Sequence, residues 1–116
     1  MNRDTQSTPE ARHWLTQNQN PSAFAGNRFN STAAALSYVE EIYRLGAVAV
    51  HITGVLAEAW RIAQDDGPYA DTLLVTLPTH PQQRHALFRL HREVAEHQGL
   101  ESTEDSGQSI LTFWWD

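Results

Sequence analysis

The sequence predicts an α+β fold, a two-layer sandwich of helices on a small, mainly antiparallel sheet, and three observations carry that prediction. Segments of helical and of strand period follow one another as helix, strand, strand, helix, strand. The first of those strands, 47–53, is apolar mainly on one face, whereas strands of a parallel sheet are buried on both. A length of 116 residues leaves room for one core, because two would each fall near the lower limit for independent folding. If 24–29 adds an edge strand ahead of the first helix, the order becomes the ferredoxin-like βαββαβ arrangement; without it an αββαβ variant remains. The rival is a parallel βαβαβ sheet with 55–63 as a crossover.

Residues 1–30 are rich in Asn, Gln, Ser and Pro and poor in periodicity, which predicts a mobile arm ahead of a single domain over 31–116. Within the arm, Thr8 as cap and Pro9 at the first helical position allow a short turn over 9–15. Ser31 is the cap of the first strong helix, 32–45, whose stripe is Leu36, Val39, Ile42 and Tyr43 and whose end is marked by Gly46. Alternate β-branched residues at Val48, Val50 and Ile52 make the first strand. Val55, Leu56, Ala59, Trp60 and Ala63 have helical spacing, and Asp65-Asp66-Gly67-Pro68 is a turn. The second strand, 71–77, is stopped by Pro78. A long helix follows, capped by Thr79 or His80, with Pro81 in its first turn and Gly99 past its end. Its apolar centre is Ala86, Leu87, Leu90 and Val94, with Phe88 and Ala95 on one margin. A polar loop over 101–108 leads to the last strand, 109–115. The Gly46-Ala47 strand entry and the Gly107-Gln108 to Trp115 ending resemble small bacterial proteins of unassigned function, a resemblance that implies no activity.

Composition excludes several chemistries. All eight basic residues are Arg and no Cys is present, which removes lysine Schiff bases, thiol nucleophiles, disulfides and thiolate metal sites. No cofactor is expected, since there is no Gly-rich phosphate loop and no nucleophile motif. The net charge of -6 argues against nucleic acid and against anionic membrane surfaces. No apolar run approaches a membrane span, so a cytoplasmic location is expected. The charge is also uneven. Residues 1–57 balance, and the whole excess lies in two acidic blocks, Glu58 to Asp71 and Glu101 to Asp116, flanking a weakly basic helix.

Candidate sites follow from these patterns. Measured at about 100° per residue, the histidines of the long helix diverge, so no two-His metal face forms on it. A His/carboxylate site from His51, Asp71 and His80 is the metal or ligand alternative. His85, Arg89 and Arg92 gather at about 120° to 180° on the wheel, a small basic outer face suited to an anion or acidic partner. Arg84 near the start of this helix and Glu93 and Glu96 near its end run against the helix dipole, so helix stability did not select that order. The ending Phe113-Trp114-Trp115-Asp116 sends its two indoles to opposite faces of a strand, which buries one and leaves the other for a partner unless both faces are covered.

The expected function is therefore non-enzymatic: a small acidic protein that binds another protein through Trp114, Trp115, Asp116, His85, Arg89 and Arg92. It would act as an immunity- or antitoxin-like partner of a basic target, or as a homodimer. The alternative is a small ligand- or metal-binding domain or enzyme built on His51, Asp71 and His80. Nucleic-acid binding through Arg84, Arg89 and Arg92 ranks last on charge.

Overall fold

In a computed structural model that describes residues 8–25, 28–53 and 70–115, the elements run α1 (Ala11–Gln17), α2 (Thr32–Arg44), β1 (Ala49–Thr53), β2 (Thr72–Thr76), α3 (Pro81–His97) and β3 (Ile110–Trp114). The strands form one antiparallel sheet, ordered β1-β2-β3. Phe24 adds a single parallel bridge to Ala70, and β3 pairs directly with β2. The described elements from α2 onward thus follow the αββαβ order with an antiparallel sheet. The helix expected over 55–63 and the turn at Asp65 to Pro68 lie outside the described residues.

Strand alternation builds the core. Val50, Val75 and Leu111 lie in one cross-strand row and Ile52, Leu73 and Phe113 in the next, all buried. Each such side chain contributes about 1.5–3 kcal/mol on burial. On the other face the row His51, Leu74, Thr112 runs from half-buried to exposed. Helices α2 and α3 share the core face: Ala35, Val39 and Ile42 enter it from α2, and Leu87, Phe88, His91 and Ala95 from α3. Gly46, at φ +119°, ends α2 against α3, where an added Cβ would fall within 2.9 Å of three Gln83 side-chain carbons.

The described part of the N-terminal segment is packed. Ala11, Leu15, Phe24 and Phe29 are buried in the same cluster as the sheet. Helix α1 begins at Ala11, two residues later than the sequence predicts, and its cap is Glu10, whose carboxylate accepts from the His13 amide at 2.8 Å. The reason is that Pro9 and Glu10 are held extended alongside β1: the Pro9 carbonyl accepts from the Ile52 amide at 2.8 Å and Glu10 bridges His51. The other Glu10 oxygen accepts from the Tyr43 hydroxyl at 2.6 Å, and that hydroxyl accepts from the Val50 amide at 3.0 Å. Burial pushes the Glu10 carboxyl up, but the Tyr43 hydroxyl and the amides of the first turn outweigh it and leave it below its ordinary value. These contacts occupy the outward amides of Val50 and Ile52, so this edge of the sheet is closed.

Helix α3 lies along the opposite edge. Its buried stripe is centred about 80° round from the sequence expectation, on Leu87, Phe88, His91 and Ala95, with Leu90 and Val94 only half-buried. The cause is three polar side chains spaced seven apart. Arg84 donates to the Gln108 carbonyl at 3.0 Å, His91 Nε2 to the Thr112 carbonyl at 2.8 Å, and Gln98 to the Trp114 carbonyl at 2.8 Å. Fourteen helical residues rise about 21 Å and six strand residues about 20 Å, so a helix parallel to β3 matches carbonyls along its outer edge. Arg84 also grips Asp105 through two nitrogens, at 2.6 and 3.0 Å, and reaches the Pro78 carbonyl at 3.1 Å. The base-first charge order of α3 thus serves the return loop and the strand rather than the helix.

Candidate functional site

The residues selected from the sequence separate onto different parts of the molecule. Trp114 is 42% exposed on the face of the sheet away from the helices, beside Thr112 and Ile110, the latter 44% exposed. Trp115 points the other way and is 3% exposed, enclosed by Phe24, Phe29, Tyr38 and Phe113 with ring centroids 5.5 to 6.1 Å away. The two indoles therefore diverge as strand alternation requires, and the N-terminal segment supplies the cover for the inner one. Asp116 lies outside the described residues. His85, Arg89 and Arg92 are exposed on α3, where His85 and Arg92 flank a hollow of about 690 Å³ between the helix and Ser102 to Asp105.

The metal alternative fares differently, because its members do not meet. His51 is central in β1, Asp71 precedes β2 and accepts from the Thr72 hydroxyl at 2.7 Å, and His80 lies beyond the far end of β2. There His80 caps α3, its Nδ1 accepting from the Gln82 amide at 3.2 Å. Among the described residues no three His, Asp or Glu side chains are grouped to hold a metal ion.

A site absent from the sequence reading lies between α2 and α3. An open cleft of about 490 Å³ has Leu90 and Val94 on one wall, Tyr38 on the other, Trp115 at its base, and Arg28 and Glu93 at its rim. Two of its lining residues each carry a buried polar atom, the Tyr38 hydroxyl and the Trp115 indole N–H, that has no hydrogen-bond partner. Leaving such a group unpaired costs about 1–3 kcal/mol, so native proteins rarely keep one without a use. Burial pushes the Tyr38 phenol well above its ordinary value; Glu93 adds to that and Arg28 opposes it, so the hydroxyl remains a proton donor. Arg28 rests over the rings of Phe29 and Tyr38, at 4.8 and 5.8 Å, and makes no ion pair among the described residues.

His91 is the third buried side chain with an unpartnered atom. Its Nε2–H is committed to Thr112, which fixes the tautomer and leaves Nδ1 bare, with the ring edge-on to Phe113 at 5.0 Å. Burial lowers its pKa, and the Thr112 hydrogen bond offsets this only in part.

The sequence singles out Leu90, Val94 and Trp115 for other roles and gives no sign that they share a site. Tyr38 stands three residues after Ala35 and four before Ile42, a phenol on a core stripe. Arg28 and Trp115 come from distant segments with no shared spacing. No helix among the described residues is long and apolar enough to cross a membrane. No family model matches the chain, and no curated protein or solved structure matches it either.

Proposed function

We propose that this protein acts by binding another protein, a basic partner, through the outward face of β3. The observation that supports this most is the pairing of Trp114 and Ile110, both more than two-fifths exposed, on one face of an edge strand. A large indole held on a rigid strand loses little freedom when covered, which is why such residues anchor interfaces. Pro9 and Tyr43 meet the outward amides of β1, and α3 lies along the outer edge of β3, so the contact uses the face rather than an added strand. The acidic excess would speed encounter with a basic target and would be screened by salt.

The test is differential capture from the native host with wild-type and Trp114→Asp baits, each at low and high salt. A specific partner should come down with the wild type, weaken as salt rises, and be lost with Trp114→Asp. Recovery of the same proteins by both baits would remove the Trp114 face from the reading. Light scattering on the purified protein distinguishes self-association: a dimeric mass that Trp114→Asp converts to monomer would make the partner a second copy.

A further inference from the structure

The cleft between α2 and α3 is a separate matter from the outward face of β3, since the sheet lies between them. Three of its polar groups can donate: the Trp115 indole, which can only donate, the Tyr38 hydroxyl, and the Arg28 guanidinium with five N–H groups and no acceptor; Glu93, His97 and Gln98 complete the polar lining. Leu90, Val94 and the aromatic rings supply apolar walls around these donors. Small-molecule sites likewise set polar groups that fix orientation against apolar surface. Trp115 is the most telling of these residues: it is 3% exposed, and its N–H reaches no acceptor.

We propose that this cleft binds a small carboxylate with an apolar body, the carboxylate accepting from Trp115, Tyr38 and Arg28 while the body lies against Leu90 and Val94. Both donor atoms are buried, so a ligand reaches them only once the cleft opens. Arg28 leaves its resting place over the Phe29 and Tyr38 rings to pair with the incoming oxygens, which opens the way to them. Glu93 stands at the same rim and opposes an anion, so the site prefers ligands whose charge lies deep and on the Arg28 side.

The experiment is a titration of ¹⁵N-labelled protein with benzoate, reading the indole N–H signal of Trp115, with benzyl alcohol and benzamidine as neutral and cationic controls. Trp115→Phe assigns that signal; if that variant does not fold, replacing Trp14, Trp60 and Trp114 in turn assigns it by elimination. Benzoate should move the Trp115 signal saturably, Arg28→Gln should weaken the binding roughly tenfold, and Glu93→Gln should tighten it. Benzamidine should leave the signal in place. The proposal is overturned if benzoate leaves the Trp115 signal unmoved, the result expected of donors that merely hold a water molecule. Equal binding of benzyl alcohol, or unchanged affinity in Arg28→Gln, would also overturn it.

Discussion

The two flanks of α3 face chemically opposite surroundings. Toward β3, Arg84, His91 and Gln98 donate in turn to the carbonyls of Gln108, Thr112 and Trp114 along its outer edge. Toward α2, Leu90 and Val94 face an open cleft in which the Tyr38 hydroxyl and the Trp115 indole N–H have no partner. One helix thus spends donors on backbone carbonyls along one flank, where the His91 Nδ1 acceptor is left bare, and faces unsatisfied donors across the other. The difference separates what holds this fold together from what the fold leaves available. A partnered polar group is a structural component, while an orphaned one costs stability and points to use.

The largest disturbance to that contrast comes at Trp115, which belongs to the cleft and to the aromatic cluster at once. Trp115→Ala should lower stability by about 3–5 kcal/mol, as for other buried aromatic truncations, and should loosen the N-terminal segment by removing the ring against which Phe24 and Phe29 pack. Urea denaturation measures the first effect and amide exchange of residues 23–25 the second. A loss confined to the level of a surface substitution would mean that the N-terminal segment does not depend on this ring.

Removing the central member of the sealed flank should cost less. His91→Ala leaves the Thr112 carbonyl unmet and vacates the contact with Phe113, an expected loss of about 2 kcal/mol. The same residue gives a pH signature whose sign is fixed by its environment. Because burial holds the folded-state pKa below the ordinary value of 6.5, the unfolded chain binds the proton more readily. The stability that neutral His91 contributes is therefore complete above about pH 6.5 and is lost as pH falls through the depressed folded-state value. Denaturation midpoints measured between pH 8 and pH 5, on the order of this window, should fall less steeply in His91→Gln than in the wild type. Identical slopes would show that another group carries the acid sensitivity.

Much of this architecture is legible in local sequence. Ser31 and His80 cap their helices, Gly46 and Gly99 follow them, and the alternation of Val50, Ile52, Leu73 and Val75 assigns the core face, all from short-range chemistry. What escapes is long-range. The rotation of α3 is set by the carbonyls of β3, which no periodicity within the helix reveals, and the Glu10 cap depends on Tyr43 and β1 holding the preceding residues extended. The packing of Phe24 and Phe29 is hidden for the same reason, because an Asn- and Pro-rich composition carries no sign of the indole they meet. The divergence of Trp114 and Trp115 was readable from strand alternation alone, but their surroundings were not. The cleft draws on four separate segments, and although Leu90, Val94 and Trp115 stand out in the sequence, nothing local joins them to Tyr38 and Arg28.

The contrast between the two flanks is tested most directly by Tyr38→Phe, which removes one oxygen and leaves the ring in place, with His91→Ala measured beside it in the same urea series. If the hydroxyl is an unpaired donor, Tyr38→Phe should raise stability by about 1 kcal/mol while His91→Ala lowers it. A loss of stability in Tyr38→Phe comparable to that of His91→Ala would contradict the account, because it would place a partner on the hydroxyl and make the two flanks of α3 alike.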